Sequence, residues 1–414
     1  MDSDTEEKLL AVSLLSAAAR HDNVAVKNLL RNTSANVQDA ETGYTPLHAA
    51  IASCGVDEDG TTALSREAAA EETVKILFDN GAIWNDLDKN DETPGCIAYR
   101  LGLKNVYRLV VDAGVRAELL LSKLDGIKAL EVEDEEDEDE NEEEDEENAV
   151  DGTDESGARK RQKLEPEAPA EAAGAEPKVG LANDPVSTEP PEDYIDHWDS
   201  NADYLRSSLR YTDTTLLDSS SNAVMMDWET DIMGRHAEGL LPTKGLRAMN
   251  IGHGMGIVDT KIQTHSPLEH HIVEAHPAVL AHMKKNGWDK KPGVTIHEGR
   301  WQDVLPKLIE QGVVLDAIYY DTFAEDYKDL KYLFEECVIG LLDPSGRFGF
   351  YNGLGADRRV CYDVYKDVVE IDLLEAGFQT EWEDLPVPQI EWEGVRRPYW
   401  NVDVYRLPLC KFVD

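Results

Sequence analysis

The chain has 414 residues, of which 41% are hydrophobic and 30% charged, so it can form two or three domains with buried cores. Its formal net charge of -44 at pH 7 argues against direct binding of nucleic acid, because such a surface repels phosphates and attracts basic partners. No uncharged apolar run approaches the ~18 residues of a membrane span, and the acidic stretch MDSDTEEKLL lacks the apolar core of a secretory signal.

The cysteines are five in number and widely separated, with no CxxC pair among them. This usage predicts neither a disulfide framework nor a zinc site, and it favours a reducing compartment. The five are Cys54, Cys96, Cys337, Cys361 and Cys410.

Residues 1–125 are expected to form all-α, ankyrin-like repeats. TPLHAA, residues 45–50, matches the T-P-L-H-x-A signature of an ankyrin repeat, and a second Thr-Pro pair stands at residues 93–94. The two pairs are 48 residues apart, against a repeat length of about 33, so we expect an insertion around residues 53–67. His48 is then structural, and the repeats supply a binding surface. The alternative is an unrelated helical bundle, since TPLH is a short match.

Residues 126–190 have the composition of a disordered linker. Residues 131–147 contain 15 acidic side chains, which repel one another and cannot build a core. A basic cluster follows them, and it either acts as a nuclear import signal or pairs with the neighbouring acids. We therefore expect the protein in the cytoplasm and the nucleus. The cluster consists of Arg159, Lys160, Arg161 and Lys163.

Residues 191–414 alternate between short apolar segments and helical segments such as AVLAHMKKNGW and WQDVLPKLIEQ. This order predicts a βαβ series and an α/β, Rossmann-like domain with a mostly parallel sheet. The last segment, YWNVDVYRLPLCKF, has no helix after it, so we expect it to pair antiparallel at the sheet edge. The other strand candidates are GLRAMNIG, EHHIVEAHP, GVTIHEGR, LDAIYYDTF and GRFGFYNG.

Three glycines, Gly252, Gly254 and Gly256, stand where the first of these strands turns into a helix. Glycine permits positive φ and close approach of a ligand, and ligands of open parallel sheets bind at the carboxyl ends of strands. Glu274 ends the next strand, about 20 residues on, where an acid accepts hydrogen bonds from ribose hydroxyls.

The spacing of the glycines bears on the kind of cofactor. A dinucleotide fingerprint needs G-x-G-x-x-G, but position 257 is Ile and the turn contains no Lys or Arg to meet a pyrophosphate. We therefore expect an adenosine cofactor without phosphates, S-adenosylmethionine. A purely structural turn is the alternative.

Six blocks of sequence occur in order in the last domain: VMMDWETDIM, NIGHGMGIVDTKIQ, HIVEAHP, GRWQDVLP, YYDTF and GFYNGLG. Through them, residues 190–414 resemble guanidinoacetate methyltransferase and, more closely, the fungal type IV protein arginine methyltransferases, which modify the δ-nitrogen (N5) of arginine. An ankyrin-like front end joined to such a domain also resembles the fungal family.

The resemblance implies roles for particular residues. Glu229 and Asp321 match the carboxylates that hold the guanidino substrate, and Asp321 also borders the cofactor. Trp301 and Gln302 match the block that contacts the adenine. The remaining implied cofactor residues are Tyr204, Tyr211, Met225 and Met233 around the site, Gly252, His253, Gly254, Met255, Gly256 and Ile257 along the methionine part, and Glu274, Ala275 and His276 at the ribose.

Arginine chemistry agrees with a pair of carboxylates. A guanidinium ion has a pKa above 12, so it is charged and a poor nucleophile, and carboxylates grip its N–H groups in a planar, bidentate geometry. Asp321 follows LDAIYY at the carboxyl edge of the sheet, where a catalytic acid is expected. The alternatives are that Asp321 caps the next helix, and that Glu229 is a solvated helix residue or part of a lid.

Two further clusters are expected to be structural. The segment VRRPYW, residues 395–400, should lie at the sheet edge and away from the substrate. We expect no metal site, because neighbouring histidines on a strand point to opposite faces. These histidines are His270, His271 and His276.

The sequence thus predicts an S-adenosylmethionine-dependent methyltransferase that modifies N5 of arginine in a basic protein; by resemblance, a ribosomal protein is one candidate. We expect no nucleic acid or membrane as a direct partner, and a monomer is compatible with the sequence. The rivals are a methyltransferase of a small guanidino metabolite, an inactive ankyrin-based scaffold, and a nicotinamide oxidoreductase, which the missing third glycine disfavours.

Overall fold

The structure is a computed structural model that describes residues 3–55, 63–124 and 201–413. The linker, its acidic tract and basic cluster, and part of the expected insertion lie outside these residues. Met1–Ser122 and Trp198–Asp414 together form one compact unit. The repeats and the α/β domain therefore belong to one unit. Within the described ranges, no helix is long and apolar enough to cross a membrane.

The described part of the N-terminal region contains six helices, in three consecutive pairs. The Thr-Pro pairs mark the first helix of the second and third pairs, since Thr45 and Thr93 each cap a helix that has proline in its first turn. Part of the expected insertion is taken up by a long second helix. The six are α1 (Ser3–Ala19), α2 (Asn23–Leu29), α3 (Pro46–Ala52), α4 (Ala63–Asp79), α5 (Pro94–Arg100) and α6 (residues 104–124).

His48 ties consecutive repeats together. It is buried, its Nδ1 lies 2.8 Å from the Thr45 hydroxyl, and its Nε2 lies 3.2 Å from the backbone oxygen of Glu92 at the next turn. The structural role expected for His48 is confirmed.

A small antiparallel sheet, which the sequence analysis did not predict, precedes the main domain. It leads into a 3₁₀ turn, Asp227–Glu229, and so sets the position of one site carboxylate. Its strands are β1 (Arg210–Tyr211), β2 (Thr215–Leu217) and β3 (Ala223–Met226), and α7 (Asn201–Arg206) comes before them.

The main sheet has seven strands in the order β6-β5-β4-β7-β8-β10-β9. The first five are parallel and β10 is antiparallel to both its neighbours, which confirms the Rossmann-like α/β prediction. The strands are β4 (Arg247–Ile251), β5 (Glu269–Glu274), β6 (Val294–Glu298), β7 (Leu315–Tyr320), β8 (Leu342–Phe350), β9 (Phe378–Pro386) and β10 (Val404–Phe412).

One strand differs from its expected place. The last segment pairs antiparallel but lies second from the edge, because β9 pairs along its whole length and takes the edge. The reason lies in the side chains: β10 buries Tyr405, Leu407 and Cys410, whereas β9 presents acidic residues such as Glu381 and Glu383, which suit an exposed edge.

Helices connect the parallel strands and flank the sheet. They are α8 (Thr230–Leu240), α9 (Ile257–Thr264), α10 (Pro277–Lys285), α11 (Trp301–Glu310), α12 (Tyr327–Tyr332), which continues through a π-helical turn (Leu333–Val338) into α13 (Ile339–Leu341), and α14 (Arg359–Glu375).

The repeats and the α/β domain share a hydrophobic core. Val360, Val364 and Val368, three residues of α14 at helical spacing, are fully or almost fully buried in the same apolar cluster as the repeat helices. The contact is tight: a Cβ added at Gly95 of α5 would lie 2.5 Å from Val360, and one at Gly114 of α6 would lie 2.7 Å from Val364. The α/β domain thus supplies one wall of the repeat core.

At this junction a glycine-to-alanine substitution should destabilise the protein, the opposite of its usual effect in a helix. Gly95→Ala should lower the free energy of unfolding by ~1–3 kcal/mol through overpacking against Val360, although alanine is the better helix former. Thermal unfolding of the full chain measures it. The control is Gly234→Ala in α8, whose added Cβ has no neighbour closer than 3.7 Å and which should be neutral or stabilising. Equal effects of the two substitutions would contradict the shared core.

Candidate active site

Residues 252–256, here called the glycine turn, connect β4 to α9. Its glycines have φ of 93°, 54° and 73°, values that L side chains rarely adopt. A Cβ on Gly252 would overlap the backbone oxygen of Asp321, and one on Gly254 would lie 2.8 Å from Met225. The glycines therefore allow the carboxyl ends of β4 and β7 and the end of β3 to approach closely.

Glu274, the last residue of β5, is fixed against the glycine turn. One carboxylate oxygen accepts the backbone N–H of His253 at 2.9 Å, and the other accepts that of His276 at 2.7 Å. The side chain is buried, with 7% of the residue exposed. These two bonds hold the carboxylate at the position expected for a ribose contact.

A buried network of polar side chains, which was not predicted from the sequence, supports the glycine turn. Asp259 of α9 lies 2.6 Å from His253 Nδ1 and 2.9 Å from His270 Nε2, and it accepts the Asn250 amide at 2.8 Å. Burial opposes ionisation of Asp259, yet the two histidines hold its pKa below the usual range. His253, an expected cofactor residue, is itself buried and faces this network.

The two neighbouring histidines of β5 provide a matched test of this network. His270→Ala should lower the free energy of unfolding by ~2–4 kcal/mol and weaken cofactor binding, because it leaves a cavity and removes a hydrogen-bond partner of buried Asp259. His271→Ala should change little, since His271 lies on the other face of the strand beside His297. Thermal unfolding and cofactor titration measure both. If His270→Ala bound the cofactor as tightly as the wild type, the glycine turn would not depend on the Asp259 network.

A cavity opens where the glycine turn, β5, α11 and the end of β7 meet. It brings together eight of the expected cofactor residues: Tyr204, Met225, Gly252, Gly254, Glu274, Ala275, Trp301 and Asp321. The other lining residues were not predicted from the sequence; they are Asn201, Leu205, Val224, Ile251, Val273, Gly299, Arg300, Thr322, Phe323 and Glu325.

The other expected cofactor residues stand outside this lining. Met233 is fully buried in the core, the Tyr211 hydroxyl donates to the Gly254 oxygen at 3.1 Å, and His276 caps α10 while its Nε2 lies 3.1 Å from the Tyr204 oxygen. Tyr211 and His276 thus contact residues that line the cavity. The remainder are His253, Met255, Gly256, Ile257 and Gln302.

Glu325 organises the end of the cavity near α11. Its carboxylate accepts Trp301 Nε1 at 3.0 Å, Gln302 Nε2 at 3.2 Å and the Thr322 hydroxyl at 2.6 Å. Gln302 therefore points its amide nitrogen at Glu325, and its Oε1 is buried without a hydrogen-bond partner in the part of the chain that is described. A free buried acceptor of this kind suits an amino group of a ligand.

The two predicted carboxylates, Glu229 and Asp321, are called the carboxylate pair below. Glu229 is 4% exposed on the 3₁₀ turn, so it is not a solvated helix residue. Asp321 follows β7, and its Oδ2 is buried without a partner among the residues described. The next helix is capped by Asp326, so Asp321 is not a helix cap.

Both carboxyl groups resist ionisation. Burial, and then the charge of Asp259, raises the pKa of Asp321 to about 7. Burial, and then the charge of Asp321, raises the pKa of Glu229 well above its usual value, and a hydrogen bond from Tyr399 partly offsets this. Two such groups in one buried place are a favourable site for a cation.

Aromatic residues surround the carboxylate pair. The pKa values of Tyr319, Tyr351, Tyr399 and Tyr405 are all raised well above normal by burial and by the charges of both Glu229 and Asp321. The segment VRRPYW is therefore not remote from the site as expected: the Tyr399 hydroxyl donates to Glu229.

The histidines weighed as metal ligands belong to other structures. His270 is in the Asp259 network, His271 lies beside His297, and His276 caps α10. Within the described ranges, no three His, Cys, Asp or Glu side chains form a metal-binding group.

A parallel sheet with a glycine turn, a ribose-directed acid and a buried carboxylate pair defines a methyltransferase with an adenosine cofactor. Residues 189–387 match the guanidinoacetate N-methyltransferase family. Over its full length the chain is 52% identical to "Protein arginine N-methyltransferase 2" of Aspergillus fumigatus, covering 99% of that protein. The proteins of that name from Neurospora crassa and Saccharomyces cerevisiae are 45% and 39% identical, over 97% and 82% of this chain and 95% and 77% of theirs.

The chain belongs to the protein arginine N-methyltransferase 2 family, and its cofactor is S-adenosylmethionine. The cavity fits this group, because Glu274 is part of its lining and can accept from ribose hydroxyls. Among the described lining residues, Arg300 is the only Lys or Arg, and it precedes α11 on the β6 side, away from the glycine turn. No cluster of cations is present to hold a pyrophosphate.

Proposed function

We propose that the enzyme transfers a methyl group from S-adenosylmethionine to the δ-nitrogen (N5) of an arginine in a protein substrate. The observation that carries the proposal is the carboxylate pair, two buried acids beside the cofactor cavity, one of them with a free acceptor oxygen. A guanidinium ion is the side-chain cation whose N–H groups match two carboxylates in a plane.

Binding of arginine uses the raised pKa values of the pair. Before the substrate arrives, burial favours the protonated form of Asp321 near neutral pH. A guanidinium supplies the missing positive charge, which favours ionisation of both acids. The carboxylates then hold the terminal N–H groups, and this grip leaves the inner nitrogen as the one presented to the cofactor.

The reaction needs a positioned nucleophile and a place for one proton. The cofactor, when bound, supplies the electrophilic methyl group. Glu229 and Asp321 fix the guanidinium, and positioning of this kind contributes up to ~7–11 kcal/mol in favourable systems. As the methylated guanidinium loses a proton, the Asp321 carboxylate, ionised beside the cation, is a suitable acceptor.

A protein substrate is supported by the repeats, since repeat helices form extended binding surfaces and a free metabolite needs none. The net charge of -44 favours a basic partner, and a ribosomal protein is one candidate of that kind. The second candidate function is methylation of a small guanidino metabolite, which the family match of residues 189–387 favours. For the location we propose cytoplasm and nucleus.

Mass spectrometry of the product tests the proposal. The full chain is incubated with methyl-labelled S-adenosylmethionine and a lysate, and labelled peptides are fragmented to locate the methyl group. We expect label on the δ-nitrogen of arginine in a protein. Label on a terminal nitrogen would overturn the N5 assignment, and label only in small molecules would favour the second candidate.

A further inference from the structure

A hydroxyl from a distant part of the chain contacts Glu229. The segment between β9 and β10, residues 387–403, brings Tyr399 to the site, where its hydroxyl donates to Glu229 Oε1. Trp228 Nε1 donates to the same hydroxyl at 3.0 Å. Because an indole N–H can only donate, the hydroxyl must accept from Trp228 and give its own hydrogen to Glu229.

This arrangement is a chain of two donors that ends on the carboxylate. Trp228 fixes the direction of the Tyr399 hydroxyl, and aromatic contacts fix both rings: Trp228 packs on Trp400, and Trp392 meets Tyr399 edge-on with ring centroids 5.0 Å apart. A hydrogen bond to an ionised carboxylate favours the ionised form. Tyr399 therefore opposes the effect of burial on Glu229.

We infer that Tyr399 is a positioning residue for methyl transfer, which orients Glu229 for the guanidinium of the substrate and favours its ionised form. The inference depends on the proposed function, because it assigns Tyr399 a task only if Glu229 holds arginine. The titratable groups that act on Glu229 come from several elements, namely Asp321 after β7, Tyr351 after β8 and Tyr399 before β10.

Tyr399→Phe tests the inference in the full chain. Removing a hydrogen bond to a charged group should lower kcat/KM for an arginine peptide about 10- to 100-fold, mainly through KM. The acid limb of the kcat/KM profile should move to higher pH by about one unit, since Glu229 loses the donor that favours its ionised form. Cofactor affinity should stay unchanged, because Tyr399 is not among the residues that line the cofactor cavity.

Tyr107→Phe is the matched control. Its hydroxyl also donates to a carboxylate, Asp363 at 2.5 Å, but at the junction with the repeats. We expect its kcat/KM profile to keep its acid limb. Any general effect of removing a carboxylate-bound hydroxyl would appear in both variants.

A second variant decides the matter if Tyr399→Phe does not fold. Trp228→Phe keeps the Tyr399 hydroxyl but removes the N–H that orients it. The acid limb of the kcat/KM profile should therefore move to higher pH, by less than in Tyr399→Phe. An unmoved acid limb in a folded Tyr399→Phe, or in Trp228→Phe, would overturn the inference. If those variants are unmoved while the wild type still forms N5-methylarginine, only this inference fails; a wild type without that product would instead overturn the proposed function.

Discussion

Asp321→Asn should abolish methyl transfer and, at pH 8, make the free enzyme more stable. Asparagine cannot pair with a guanidinium or take its proton, and removal of a preorganised charge of this kind costs about 10³-fold in rate. The gain in stability follows from the raised pKa. An aspartate that titrates near 7 in the folded chain and near 4 when unfolded binds more protons folded, so stability falls as pH rises through that window.

The expected gain for Asp321→Asn is ~1–3 kcal/mol at pH 8, vanishing below about pH 4. Thermal unfolding from pH 4 to 8, together with label transfer to an arginine peptide, measures both effects. Asp316→Asn, on the same strand, is the control of opposite sign, because Asp316 pairs with Arg247 at 2.7 Å and has a lowered pKa. Loss of stability at pH 8 in Asp321→Asn would contradict the account.

Glu274→Gln should weaken cofactor binding by about 10²- to 10³-fold. A carboxylate of Glu274 accepts two backbone N–H groups, at 2.7 and 2.9 Å, and a glutamine can present only one acceptor oxygen to them. The buried N–H left without a partner costs ~1–3 kcal/mol, and the hydrogen bond expected from the ribose is weakened as well.

Titration calorimetry of the full chain with S-adenosylmethionine measures the loss in Glu274→Gln. Glu269→Gln is the matched control, since Glu269 begins the same strand and its side chain is 53% exposed. Its affinity should equal that of the wild type. A Glu274→Gln variant that bound the cofactor normally would remove Glu274 from the ribose site.

The parts of the site predicted from the sequence are those that local order determines. Gly252, Glu274 and Asp321 each follow an apolar strand, and the carboxyl ends of parallel strands meet at one edge of the sheet. Their positions could therefore be predicted without the fold. The same holds for the Thr-Pro pairs, because capping and proline act within one helical turn.

The parts that were missed depend on contacts between distant residues. Tyr399 and Glu229 are 170 residues apart, and nothing in VRRPYW distinguishes a site tyrosine from a core one. In the sequence, Asp259 looks like any helix residue, because only the tertiary structure places His270 of β5 beside it. The apolar face of α14 likewise fits any helix, and only the tertiary structure shows that Val360 packs on the repeats.

The carboxylate pair is tested most directly by peptide binding. A peptide with one arginine, and the same peptide with neutral citrulline, are titrated into the full chain with the demethylated cofactor at pH 6 and pH 8. The arginine peptide should bind more tightly at pH 8 than at pH 6. Below the pKa of Asp321, each pH unit should weaken its binding about tenfold, because the acid must ionise to hold the guanidinium. The citrulline peptide should bind far more weakly. Equal affinity for both peptides, or tighter arginine binding at pH 6, would contradict the account.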